Sequence, residues 1–194
     1  MSGTIRNATN GQRAKVSSSG RLWTYSSTET IEQTATEEGD AWNLNTGVIS
    51  LTDASESAVM YVKNTSSIPF FISSIAVSID TLDAPTARSL ITLVRNPTGG
   101  TIISGASNAA MIQNRDFGSN KQFVGDVFKG AQGSTITGGN DVALFHSGSN
   151  QRLFATINFY LPQGTSTALK IDLNNANGGD VYAAIIGFYY DEGA

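Results

Sequence analysis

Apolar and polar positions change rhythm along this chain. Up to about residue 40 there is no sustained apolar periodicity, and only Leu22, Trp23, Tyr25 and Ile31 interrupt a polar stretch after Gly20. Thr28–Gly39 has helical potential with Thr28 as cap, but Ile31 is its one sizeable apolar anchor. One anchor is too little to hold a helix on a core, so extended chain or loop is expected there. After Asn45-Thr46-Gly47 the pattern shifts to short runs of β-branched and aromatic residues. Val48–Leu51, Ala58–Asn64, Phe70–Ile79 and Arg88–Arg95 read as strands, the last two apolar on both faces as buried strands are.

Asn96-Pro97-Thr98-Gly99-Gly100 is a turn signal, because Pro fixes one φ and Gly supplies positive ones. A brief strand at Thr101–Ile103 follows. Asn114–Gly139 is rich in Gly and polar residues with scattered anchors, and is expected to be a long ordered connection crossing between sheets. Four strands follow closely: Asp141–Phe145, Arg152–Tyr160, Thr167–Leu173 and Asp180–Tyr190. In the third, Leu169, Ile171 and Leu173 alternate with Ala168, Lys170 and Asp172, the signature of one buried and one wet face. The segments joining these four strands are short enough for hairpin turns. Eight or nine strands without a convincing helix predict an all-β fold, an antiparallel two-sheet β-sandwich of jelly-roll type with an extended N-terminal arm. An Ig-like sandwich is the alternative, although it needs only about 100 residues. The expected division is an arm over 1–28 and a single sandwich domain over 29–194.

Composition sharpens this picture. Charged residues make up 14% of the 194, while Ser, Thr, Asn and Gly together make about two-fifths. Those four residue types satisfy turns locally. A surface with few long charged side chains is also cheaper to cover with other protein. The net charge is −4, but residues 1–28 hold Arg6, Arg13, Lys15 and Arg21 and no acid. A basic arm on an acidic body reads either as a tail for a neighbouring acidic surface or as a solvated terminus. These four cations and Trp23 are the candidate partner-binding residues. Trp23 and Trp42 stand outside the strongest strands, as contact anchors or as packing for the arm. Without aromatic interleaving the cations do not point to nucleic acid. The N-terminus has no apolar stretch suited to a signal peptide, and no span of the chain would cross a bilayer, so folding in the host cytoplasm without membrane attachment is expected.

Catalytic chemistry finds little support. Cysteine is absent, which excludes disulfides and thiolate chemistry. His146 is the single histidine and is expected in a turn, and zinc-type sites need several such ligands. The acid groups Glu37, Glu38 and Asp40, Asp80 and Asp83, and Asp191 and Glu192 lie in polar stretches, where nothing raises a pKa for acid catalysis. Asp172–Asp180 resembles a calcium loop but breaks the EF-hand spacing and lacks its closing glutamate. Gly130–Thr135 lacks the Lys and the helix of a phosphate loop. The expectation is a non-enzyme with no metal site and no cofactor.

Several phrases resemble a family of phage-encoded virion structural proteins. They are Gly39-Asp-Ala-Trp-Asn-Leu-Asn45, Tyr61-Val-Lys-Asn64, Arg95-Asn-Pro-Thr-Gly-Gly-Thr-Ile102 and Gln113-Asn-Arg-Asp-Phe-Gly-Ser119. Lys129-Gly-Ala-Gln-Gly133, Arg152-Leu-Phe-Ala-Thr156 and Leu161-Pro-Gln-Gly-Thr-Ser166 complete the set. They extend over roughly Gly20 to Gly187 and are turn and strand-end phrases. The resemblance implies a component of a tailed-phage particle, on the head, with no activity and no cofactor. It supplies no list of binding residues. Contact area spread over a repeated lattice makes a capsid decoration (cement) protein on the virion surface the expected role, with the major capsid protein and its own copies, as a homotrimer matched to local three-fold positions, for partners. A tail-side fibre or receptor-binding domain and a carbohydrate-binding jelly-roll module are the alternatives.

Overall fold

A computed structural model describes residues 5–6, 13–16, 22–23, 30–52, 55–81, 88–104, 110–148, 151–174 and 178–190. The chain forms two compact units, Met1–Thr30 and Ile31–Ala194. In the first, β1 (Ile5–Arg6), β2 (Arg13–Val16) and β3 (Leu22–Trp23) pair as an antiparallel meander in the order β1-β2-β3. The segment expected to be a plain extended arm therefore carries strand pairing of its own.

The larger unit runs through α1 (Ile31–Glu37), β4 (Ala41–Leu51), β5 (Ser57–Asn64), β6 (Phe70–Thr81) and β7 (Ser89–Arg95). It continues with α2 (Thr101–Ser104), β8 (Met111–Asn114), β9 (Gly125–Lys129) and β10 (Asn140–Ser147). The last strands are β11 (Gln151–Leu161), β12 (Ser166–Asp172) and β13 (Gly179–Tyr189). They build two antiparallel five-stranded sheets, one in the order β11-β6-β13-β4-β8 and the other β10-β7-β12-β5-β9. This is the expected all-β, two-sheet antiparallel sandwich.

Successive strands from β4 to β9, and again from β10 to β13, alternate between the two sheets. The short connections after β10, β11 and β12 were expected to be hairpin turns. Each instead carries the chain across the sandwich, and the strands pair with remote partners: β10 with β7, β11 with β6, β12 with β5 and β7. Their apolar faces explain the outcome. Two neighbours that each present one strongly apolar face bury more of it by facing each other across a core than by lying side by side. The core receives Ile72, Ile75, Val77 and Ile79 from β6, Ile91 and Leu93 from β7, Leu169 and Ile171 from β12, and Val181 and Ile185 from β13, all at most 1% exposed.

Both outer faces are partly covered. Over the β5–β12 face lie Ile102 and Ile103 of α2, Phe128 and Ile136, packed on Ala58, Tyr61 and Ala168. Ala168, expected on a wet face, is buried for this reason. Thr101–Ile103, expected as a strand, is the start of a short helix whose Ile102 fills this layer. On the other sheet sits α1, where extended chain was expected. Its anchor is Ala35 rather than Ile31: Ala35 is buried with Ala41 and Phe188, while Ile31 is 53% exposed. A small residue lets the helix approach the sheet closely, which a search for large apolar residues overlooks. Gly39, at φ +76°, ends this helix as its left-handed cap.

The two sides of the sandwich differ. Along β8 and β9 the side is shut: the Ala110 N–H donates to the Val127 carbonyl at 3.2 Å, and Phe123 packs against Trp42, Phe70 and Tyr189. The β10–β11 side is open: among the described residues neither edge pairs with a further strand.

Candidate interaction surface

That open side is the most distinctive surface of the molecule. β10 and β11 are edge strands of opposite sheets, each paired on one side only. Their inward residues, Ala143, Phe145, Leu153, Ala155, Ile157 and Phe159, pack on the core yet stay partly exposed, in contrast to the fully covered inner strands. Four of their outward residues are also apolar or aromatic: Val142 is 41% exposed, Leu144 60%, Phe154 65% and Tyr160 46%. Apart from His146, the only ionisable side chains on the two strands that carry charge at neutral pH are Asp141 and Arg152. The result is a strip with a half-open apolar groove and two apolar lips.

Both edges carry a bulge. On β10 the register shifts between Asp141 and Ala143, and on β11 between Thr156 and Phe159, where Asn158 adopts φ +50°. Bulges interrupt the row of backbone donors and acceptors that would template another strand. The strip is thus guarded against indiscriminate strand addition while its side chains remain accessible. At one end, Arg95, Val142, Phe159, Tyr160, Leu161 and Thr165 line a recess of about 350 Å³ that joins the two edges.

The cations predicted to bind a partner fall on the small N-terminal sheet. Arg6 lies in β1, Arg13 and Lys15 in β2, and Trp23 in β3, whereas Arg21 lies outside the described residues. The register sets Arg6 opposite Arg13 and Lys15 opposite Trp23. Trp42 does not act as a contact anchor. It is 3% exposed in the main core, edge-on to Phe123 at 5.9 Å.

Other residues singled out for chemistry are engaged structurally. His146 lies within β10 rather than in a turn, opposite Leu90. Asp40 pairs with Lys121 at 2.7 Å. In the calcium-like segment, Asp172 accepts the Asn174 N–H at 2.8 Å and Asp180 accepts from the Ser50 hydroxyl at 2.6 Å. Asp83, Asp191 and Glu192 lie outside the described residues. In the phosphate-loop-like segment, the Gly130 N–H is held by the Val59 carbonyl and the Ser134 carbonyl by the Ala58 N–H. No cluster of three or more potential metal ligands occurs among the described residues, and no helix there is long and apolar enough to cross a membrane.

The β10–β11 strip was not foreseen, although a signal for it exists. In Arg152–Tyr160, Leu153, Ala155, Ile157 and Phe159 form one apolar set, and the aromatic Phe154 and Tyr160 stand in the other among Arg152, Thr156 and Asn158. A strand at the sheet edge with that pattern leaves one set in solvent. No family model matches the chain, and no curated protein or solved structure is significantly similar to it.

Proposed function

We propose that this chain is a non-catalytic structural protein of a virus particle, a capsid decoration protein of a tailed phage that coats the head shell as a homotrimer. The observation that carries the reading is the strand order. Setting aside β8 and β9, the remaining strands fall as β11-β6-β13-β4 and β10-β7-β12-β5. Two four-stranded sheets, filled alternately from β4 to β7 and from β10 to β13 with β7 and β10 side by side in one of them, support a jelly roll, an architecture common among viral capsid and lectin domains. Architecture alone does not assign a function. Three further features favour particle assembly over sugar binding or catalysis: the low charge, the apolar strip, and the buried position of Trp42, which leaves it unable to stack on a sugar.

A decoration protein works through contact area repeated over a lattice, where many weak contacts sum by avidity. The N-terminal sheet suits the shell-facing role, since its register places Arg6 opposite Arg13, with Lys15 two positions along the same strand, and an acidic neighbour would complement these cations. The test is to mix the purified protein with empty phage head shells and count bound copies by mass. Saturable binding at lattice-scale copy number is expected, and deletion of residues 1–28 should weaken it. Absence of binding would overturn the reading in favour of a tail-side domain.

A further inference from the structure

We infer that the β10–β11 strip is the surface through which copies of this chain bind one another. This deepens the homotrimer part of the proposed function and does not depend on the identity of the shell.

Size comes first. β11 has eleven residues, hence a length of about 36 Å, and the sheets stand about 10 Å apart, with the lips adding roughly as much again. The strip therefore offers roughly 700 Å², close to the ~800 Å² that each partner contributes to a stable interface of standard size. The exposed edge at β8, with Met111 and Ile112, is only four residues long and offers far less.

Character comes second. Interfaces between copies of one chain are more apolar than those between independently folded partners, with charge depleted from their centre. Nineteen residues of edge carrying one Asp and one Arg fit that description. Asp141 lies 3.8 Å from Lys170 of its own chain. A peptide strand is a poor occupant, because both edges are bulged and cannot extend a regular ladder. What fits is another rigid, apolar, charge-poor surface packed through side chains, and the same strip on a second copy has that character. Around a closed symmetry axis each copy would cover the half-open groove of its neighbour.

The absence of cysteine makes the test direct. Light scattering of the full chain should give a multiple of the 20.4 kDa protomer mass. Val142→Lys with Tyr160→Lys, both at exposed positions, should return the mass to one protomer with an unchanged far-UV spectrum. A single cysteine at Tyr160→Cys should yield covalent dimers with a short bismaleimide, and Val48→Cys, on another exposed edge region, should yield at least tenfold less. That pair of variants decides the matter even if the lysine variants fail to fold. A wild-type mass of one protomer, or cross-linking at Val48→Cys in preference to Tyr160→Cys, would overturn the inference. Failure of the two proposals is separable: a monomer that coats shells removes this one alone, and an oligomer that ignores shells removes the decoration role alone.

Discussion

The side-chain amide of Asn64, at the end of β5, donates to the Leu161 carbonyl at 2.9 Å, joining residues 97 positions apart in opposite sheets. The same Nδ2 donates to the Ile68 carbonyl at 3.0 Å, and Oδ1 accepts the Ser66 N–H at 2.9 Å. The backbone of Asn64 adds bonds to Thr165 and Gly164. One fully buried residue thus closes the β5–β6 turn and fastens it to the corner where β11 leaves its sheet.

Replacing it should be costly. Asn64→Leu keeps the volume but leaves the Ser66 N–H and two carbonyls without this partner, a loss of about 2–4 kcal/mol. Asn64→Asp should also destabilise, because two of the three side-chain bonds require an N–H donor. Urea unfolding checks both, with the midpoint falling while the slope stays constant. A midpoint unchanged in Asn64→Leu would show that the corner holds without the amide.

Tyr189 supplies a pH dependence. Its hydroxyl donates to the Val124 carbonyl at 2.8 Å and accepts the Val124 N–H at 3.0 Å. Burial among Phe70 and Phe123 pushes its pKa from 10.0 up to about 12; the hydrogen bond to Val124 works against this rise, and the nearby Asp40 carboxylate adds to it. The unfolded chain releases this proton near pH 10 and the folded chain holds it to about pH 12. The folded state binds more protons between those values, so this contribution to stability is present below pH 10 and lost as pH rises through about 12. Tyrosinate absorbance should show a late-ionising component, and Tyr189→Phe should remove it.

Gly100 tests the turn that the sequence announces. It sits at φ +117°, and a side chain there would lie 2.2 Å from the Thr135 carbonyl oxygen. Around it Gly99 and Thr137 bridge through bonds of 3.1 and 2.8 Å, and Thr101 and Thr135 exchange two backbone-to-hydroxyl bonds. Gly100→Ala should cost about 1–3 kcal/mol through strain and separation of the two loops. Proteolysis within 130–139 should accelerate as Ile102 loses its cover.

Much of the sandwich was legible because inward residues on inner strands alternate or run continuously, as in Phe70–Ile79 and Thr167–Leu173. Several quoted turn phrases meet in space. Tyr61–Asn64, Leu161–Ser166 and Arg95–Ile102 share one corner, where Ser166 and Asn96 exchange two hydrogen bonds. Gly39–Asn45 and Gln113–Ser119 join where the Asn114 amide reaches the Gly39 carbonyl at 2.8 Å. What escaped the sequence was whatever depends on a distant partner. Ala35 holds a helix only because Phe188 lies beneath it. β9 exists through pairing with β5, in a stretch whose own pattern reads as a connection, and β8 through pairing with β4 just before that stretch. The interaction strip depends on β11 being an edge strand, a property of sheet order that no local pattern encodes.

Lys170 offers the sharpest contrast between charge and packing. On central strand β12, with its side chain 16% exposed, it reaches Glu56 at 3.2 Å and Asp141 at 3.8 Å. Both acids are about half exposed and remain hydrated, so the ion pairs themselves contribute little. The aliphatic stem does more, covering the outer face of the sheet beside Thr92. Lys170→Met keeps the stem and is expected to change unfolding free energy by less than about 1 kcal/mol. Lys170→Glu should lower the urea midpoint clearly, since it gathers three carboxylates at a half-buried position, and added salt should recover part of the loss. Equal losses in both variants, independent of salt, would show that the ammonium contributes more than the stem.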